Sequence, residues 1–182
     1  MPTIDLKVQT AGNAKSAGGN LIPRWDSLVG ANEPHKCIND SATTTHDGDT
    51  TYLKLITPCL VSFNVFRMSE HWNVASTTMR AVIKAATPNL EIRWGMFRND
   101  DADDVGFDPA WFVTGTYTDY TLLTQNVTLN PWTGLPFTAE ELAHVEIGFF
   151  ALYPVLAQHE VRLTLMSAQA TYSEPIYGSR CQ

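Results

Sequence analysis

Apolar and polar residues alternate along most of this chain. TIDLKVQT (3–10) places Ile4, Leu6 and Val8 on one side at period two, which is typical of a β-strand. The same period predicts further strands at 77–85 and 90–98, and apolar, β-branched and aromatic runs predict strands at 50–57, 59–68, 120–129, 144–153 and 161–172. Charged residues at alternate positions indicate strands with one wet face and one buried face, so we expect antiparallel pairing.

These segments predict an all-β fold. About eight or nine strands at spacings of about 10 to 15 residues, with one short helix, indicate an antiparallel β-sandwich of jelly-roll type. In the last strand the pattern puts Val161, Leu163 and Leu165 on one face. The chain has no internal repeat, which argues against a propeller or a solenoid.

The first residues have a different character. AGNAKSAGGN (11–20) has no large apolar side chain and is rich in glycine, so it reads as a linker. We therefore divide the chain into an N-terminal arm with its linker (1–24) and a sandwich domain (25–182). The strand in the arm is either a first strand of the same sheet or a clasp that adds to a neighbouring subunit's sheet edge. In a clasp, its apolar residues would fill the partner's pockets: Ile4, Leu6 and Val8.

One block, NPWTGLPFTAEEL (130–142), breaks the alternation. Asn, Pro and Gly form a turn, and Thr138 followed three residues later by Glu141 makes a capping box. Apolar residues before and after the cap have the spacing of a hydrophobic staple. The block predicts a helix of one or two turns that plugs one end of the sandwich, with an exposed edge of Trp132 as an alternative binding surface.

Composition and charge narrow the function classes. With 44% hydrophobic and 17% charged residues, the chain is globular in composition. The net charge of −7 opposes nucleic-acid binding, which depends on cationic contacts with phosphates. We expect no membrane span, because no apolar run is long enough, and the start lacks the features of a signal peptide. Three widely spaced cysteines do not suggest a disulfide framework.

Two acidic segments are candidate metal sites. NDDADDVGFD, which includes Asp100 to Asp108, fails the EF-hand spacing but leaves a looser Ca²⁺ site open beside the favoured reading of a solvated hairpin tip. HDGD (46–49) is likewise either a ligand set or a turn. The histidines form no zinc motif, and there is no nucleophile elbow or phosphate loop. We therefore predict no cofactor and no enzymatic activity.

The tryptophans are the other side chains that could form a binding site. Trp94 lies in an alternating strand and is predicted to be core. Trp72, Trp111 and Phe112 fall in predicted loops. Aromatic side chains in loops either stack on sugars, anchor a protein interface, or simply cover the ends of a sandwich.

The order of several short motifs resembles a group of tailed-phage virion proteins. The motifs are WDSL from Trp25, ANEP from Ala31, DGDTTY from Asp47, the block from Asn130, and VEIG from Val145. The resemblance covers roughly residues 25–172. It implies a jelly-roll domain of the kind found in capsid decoration (cement) proteins and in some fibre or tail modules.

The resemblance leads to two functional hypotheses. The first is a structural, non-enzymatic capsid decoration subunit of the virion, assembled in the host cytoplasm. Its partners would be the major capsid protein and copies of itself, as a homotrimer, with no nucleic acid and no membrane. The alternative is a carbohydrate- or receptor-binding module of a phage tail or fibre that uses Trp72 or Trp111 as a stacking platform. A minor tail or connector component also stays open.

Overall fold

The fold is built almost entirely from β-strands. The computed structural model describes residues 1–11, 27–29, 52–56, 59–65, 68, 71–85, 91–98, 109–114, 117–152 and 160–174. These residues form ten strands and one helix: β1 Thr3–Ala11, β2 Ser27–Val29, β3 Tyr52–Ile56, β4 Cys59–Val65, β5 Asn73–Ala85, β6 Glu91–Arg98, β7 Pro109–Thr114, β8 Thr121–Val127, α1 Ala139–Ala143, β9 Val145–Leu152 and β10 Glu160–Ser173. All the strand pairs described below are antiparallel, as the alternation predicts.

The strands form two sheets in jelly-roll order. Sheet I contains β3-β10-β5-β8, with β2 paired to the outer side of β3. Sheet II contains β4-β9-β6-β7. Neighbours in each sheet are therefore mostly distant in sequence, as two Greek keys require. The predicted fold class, an antiparallel jelly-roll sandwich with one short helix, is confirmed.

Strand β1 joins the two sheets. Its first half, Thr3 to Lys7, pairs with β10 in sheet I, and its second half, from Val8 to Ala11, pairs with β4 in sheet II. The register shifts between Val8 and Thr10. A bulge at such a point bends the strand, which lets it pass from one sheet to the other. The predicted division between residues 24 and 25 lies outside the described residues.

Both sheets contribute to a single hydrophobic core. Phe63, Trp94 and Ile147 from sheet II lie in the same buried cluster as Met79 and Leu163 from sheet I. Trp94 is 2% exposed, so its predicted core position is confirmed. In β5 and β6 the alternation predicts a core face made of Met79, Ala81, Ile83, Ile92, Trp94 and Met96, and all six lie in the core cluster. The opposite face is not wet throughout, since Val82 and Phe97 on it are 3% and 0% exposed.

The prediction for the last strand is wrong at Leu165. Val161 and Leu163 face the core, but the register against β5 shifts between Leu163 and Leu165. After the shift Leu165 lies opposite Val82, on the face of sheet I that is turned away from the core cluster, and both side chains are buried there, at 4% and 3% exposed. One extra residue in a strand reverses the face of everything that follows, and a bulge of this kind leaves no mark in the hydrophobic pattern.

Candidate functional site

The three candidate residues on β1 lie within the chain's own sandwich. Leu6 is 1% exposed in the hydrophobic core, and Ile4 and Val8 are partly buried against it. In this arrangement the apolar side of β1 packs on its own domain, as expected for a first strand of the same sheet. A role for Ile4, Leu6 and Val8 in binding a partner stays a prediction.

Trp72 immediately precedes β5 and is partly buried. Its ring stacks on Tyr172, with centroids 3.9 Å apart and an angle of 9° between the planes. Both rings pack against the core. The backbone N–H of Tyr172 donates to the carbonyl of Pro2 at 3.0 Å, which ties this end of β10 to the N-terminus. One face of Trp72 is therefore used for packing, and its role in glycan binding stays a prediction.

Trp111 and Phe112 do not lie in a loop, which corrects the sequence-based prediction. They belong to β7 and pair with Gly95 and Trp94 of β6. Pro109 is the first residue of this strand, a position where proline is tolerated. The exposure of these two side chains lies outside what the structure describes, so their binding role stays a prediction.

The predicted metal segments also lie outside the described residues, both Asp100 to Asp108 and HDGD (46–49). In the part of the chain that is described, no three His, Cys, Asp or Glu side chains are grouped to hold a metal ion. Likewise, the described residues contain no helix with the length and apolar character of a membrane span.

A cleft of about 260 Å³ lies at one end of the sandwich. It is built largely from the block that breaks the alternation, together with the first residue of β9 and the last residue of β6. Its lining residues are Arg98, Asn130, Trp132, Thr133, Glu140, Glu141, His144 and Val145. The cleft thus combines an aromatic ring with cationic, anionic and amide side chains.

The loop before α1 fixes one wall of the cleft. Asn130 is 4% exposed, and its side-chain Oδ1 accepts the backbone N–H of Trp132 at 3.0 Å. Its backbone N–H donates to the carbonyl of Leu135 at 2.7 Å, and its carbonyl accepts from Gly134 at 2.8 Å. Gly134 has φ of +71°, which closes this turn. Trp132 is therefore held on a rigid turn and is partly buried against the core.

The helix forms the second wall, and its predicted capping box is present. The Thr138 Oγ1 accepts the Glu141 N–H at 3.0 Å, and the Glu141 Oε2 accepts the Thr138 N–H at 2.8 Å. Thr138 also forms a bridge with Asn73 at the start of β5, which anchors the helix to sheet I. The buried residues Phe137 and Leu142 plug the end of the sandwich as predicted. Glu140 remains exposed on the first turn, beside the cleft.

The third wall comes from sheet II. Arg98, at the end of β6, lies opposite Val145, the first residue of β9. His144 ends α1, and its backbone N–H donates to the Glu141 carbonyl at 3.1 Å. Both Arg98 and His144 are exposed at the cleft. The pairing of β6 with β9 thus brings a cation from position 98 to a loop more than 30 residues away.

Sequence reasoning found part of this site. It predicted the turn, the capped helix and a possible exposed edge of Trp132, but it did not include Arg98 or His144. Local motifs signal the turn and the helix, whereas the position of Arg98 depends on which strand pairs with β6. The sequence does indicate that the helix ends near His144, because the strand that contains VEIG is predicted to begin directly after it.

Comparison with known proteins finds similar solved structures but no related sequence family. No protein-family model matches the chain, and neither does any curated protein. A family 30 carbohydrate-binding module of a cellulosomal cellulase of Clostridium thermocellum is 13% identical, with a TM-score of 0.45, over 92% of this chain and 97% of that one. A structure titled "CBM4 structure and function" is 13% identical, with a TM-score of 0.45, over 66% of this chain and 84% of that one.

A third solved structure is the N-terminal cellulose-binding domain of Cellulomonas fimi β-1,4-glucanase C. It is 11% identical, with a TM-score of 0.38, over 70% of this chain and 81% of that one. With TM-scores below 0.5, these likenesses carry no inference about what this chain binds.

Proposed function

We propose that this chain is a non-catalytic carbohydrate-binding β-sandwich module that holds a sugar in the end cleft. The observation that carries the proposal is Trp132, an aromatic ring in the cleft on a turn fixed by Asn130. The C–H face of a sugar ring packs on an indole, while its hydroxyls need polar groups close by. The cleft supplies both.

The polar lining suits sugar hydroxyls. Arg98 donates hydrogen bonds, Glu140 accepts them, and the imidazole of His144 can do either. The volume of about 260 Å³ is slightly below the ~300 Å³ at which drug-sized pockets begin, so the cleft fits one or two sugar rings. A longer glycan would extend beyond its mouth.

The two glutamates of the cleft are poorly arranged for hydrolysis. Glycosidases place two carboxyl groups on opposite sides of the scissile bond. Glu140 and Glu141 are consecutive on one helix, where neighbouring side chains point about 100° apart. The Glu141 carboxylate also accepts both the backbone N–H and the hydroxyl of Thr138, at 2.8 and 3.2 Å. Its role is thus in the capping box, which supports binding without turnover.

The first prediction tests Trp132. We expect Trp132→Ala to reduce affinity at least about tenfold, because truncating an aromatic anchor costs about 1.5 kcal/mol or more of binding free energy. The measurement is mobility in native gels that contain soluble β-glucan, xylan or galactan, followed by calorimetry with oligosaccharides of the polymer that retards the protein.

Leu135→Ala is the matched control for this experiment. Leu135 is 65% exposed in the same loop but does not line the cleft, so its variant should bind like the parent chain. If Trp72→Ala abolishes retardation while Trp132→Ala leaves it intact, the site lies at the Trp72–Tyr172 stack and the proposed cleft is wrong. Absence of retardation by any polysaccharide would contradict the function itself.

The place of this module in a virion stays a prediction. Attachment to a phage shell, a homotrimeric state and the major capsid protein as partner all come from the sequence resemblance alone. Copy number in purified particles tests them: hundreds of copies would indicate decoration, and about three to a dozen would indicate a tail or vertex.

A further inference from the structure

Strand β8 forms one edge of sheet I. It pairs with β5 along its whole length, from Thr121 opposite Ile83 to Val127 opposite Thr77, and no other described strand pairs with it. The N–H and C=O groups of a strand point to its two sides, so an edge strand presents a row of donors and acceptors that no strand has paired. The outer side of β8 therefore has the capacity to pair with one more extended strand.

The residues of β8 do not block this edge. Proteins protect exposed sheet edges with charged side chains, proline, bulges or very short strands. β8 reads TLLTQNV, seven residues without a charge or a proline, and its register with β5 runs without a shift. Other edge strands of the described chain differ: β2 has three residues, β7 begins with Pro109, and the part of β1 beside β10 carries Asp5 and Lys7. β8 is therefore open to pairing along its full length.

The side chains of β8 give it one buried and one accessible face. Leu123 is 7% exposed in the core, whereas Thr124 and Asn126 are exposed and Leu122 keeps 46% of its surface accessible. The Asn126 carbonyl accepts a hydrogen bond from the Gln125 side chain at 3.2 Å. Backbone carbonyls that lack a strand partner are satisfied by side chains or water, so this bond fits an unpaired edge.

We propose that β8 pairs antiparallel with β8 of a second copy of this chain, across a two-fold axis, so that sheet I continues from one subunit into the other. Unpaired strand groups recognise another strand through main-chain hydrogen bonds. Identical strands related by a two-fold axis across the sheet run antiparallel, and the register centred on Thr124 aligns all seven residues of β8 with those of the second copy. The proposal does not depend on the ligand of the cleft.

The composition of β8 suits pairing with itself. A two-fold axis places the residue at the axis opposite its own copy, so a charge there would repel itself. β8 carries no charge, and in the register centred on Thr124 the two Thr124 side chains lie opposite each other, a pair that stabilises antiparallel sheets. An edge that selects a different protein can carry charges that match that partner, and β8 has none. A second copy is therefore the partner that this edge favours.

Salt should affect this contact in a particular direction. A single pair of strands forms a small interface, so we expect weak association. Each chain carries a net charge of −7, so two copies repel each other at long range, and salt screens that repulsion. Added salt should therefore favour the dimer, whereas an interface held by ion pairs would weaken.

The test measures the mass of the full chain by sedimentation or light scattering as the concentration rises from micromolar to millimolar. We expect the mass to increase from that of one chain towards that of two, more readily at higher salt. Amide hydrogen exchange should show protection of β8 that increases with concentration. Thr124→Lys should weaken association about fivefold or more, because it places two cations opposite each other at the axis. Mixing this variant with Thr124→Asp should restore the dimer, since the two charges are then opposite in sign.

Thr3→Lys is the matched control. Thr3 is also an exposed threonine, but it lies on β1, which is separated from β8 by β10 and β5. The substitution should change association less than about twofold. A chain that stays monomeric at every concentration, equal effects of Thr124→Lys and Thr3→Lys, or Lys and Asp variants that do not associate with each other would each overturn the proposal. So would a mass of three chains that Thr124→Lys leaves unchanged. Circular dichroism checks that each variant is folded.

Discussion

At the scale of single residues, the shape of the cleft depends on Gly134. Its φ of +71° lies in the left-handed region, and a Cβ added there would meet no atom within 4 Å. A side chain would therefore fit in space but would strain the backbone. This residue closes the turn that begins at Asn130 and carries Trp132, so its conformation positions the aromatic ring.

We expect Gly134→Ala to lower the free energy of unfolding by about 1 kcal/mol, the cost of a left-handed alanine. Chemical denaturation gives the value. Gly134→Asn is the control and should cost less, since asparagine adopts this conformation more readily. An alanine variant as stable as the parent chain would show that the turn relaxes without cost.

At the scale of elements, α1 is stabilised mainly from its ends and by its neighbours. Five residues are too few for a helix to persist alone in water. The capping box at Thr138 and Glu141 satisfies the first backbone N–H groups, and buried Leu142 attaches the helix to the core. The helix therefore carries its cleft residues as a fixed unit, not as a loose loop.

Thr138→Ala should destabilise the protein by about 1 kcal/mol, because it removes the hydroxyl that accepts the Glu141 N–H. Thermal unfolding would show the loss. Thr138→Ser keeps the hydroxyl and should retain most of the stability of the parent chain. Glu141→Gln preserves the geometry of a capping box and should retain sugar binding; loss of binding in this stable variant would mean that the carboxylate contacts the ligand directly.

At the scale of the whole molecule, β1 links the two sheets. It pairs with β10 in one sheet and β4 in the other, and its Leu6 is buried in the core. A strand in this position contributes to the cohesion of the sandwich. This arrangement favours a first strand of the same domain, while exchange of β1 between subunits stays a prediction.

Leu6→Ala separates these two roles. If β1 belongs to its own sandwich, we expect a loss of about 3 kcal/mol of stability with no change in oligomeric state. Thr3→Ala, at an exposed position of the same strand, should have little effect. A variant of unchanged stability that dissociates in light-scattering measurements would instead support a clasp between subunits.

The sequence by itself determined the fold class, the inward faces of β5 and β6, and the capped helix. Each of these depends on spacings within a few residues: Met79 and Ile83 alternate with polar neighbours, and Thr138 caps Glu141 three positions on. Such patterns can be read locally because they reflect burial and hydrogen bonding of residues that are only a few positions apart in the sequence.

Tertiary structure alone decided the strand at Trp111, the face of sheet I on which Leu165 lies, and the approach of Arg98 to the cleft. A bulge in β10 reversed the face of Leu165, and it depends on how β10 fits against β5. Register between distant strands is set by the packing of the complete sandwich, so no short stretch of sequence encodes it.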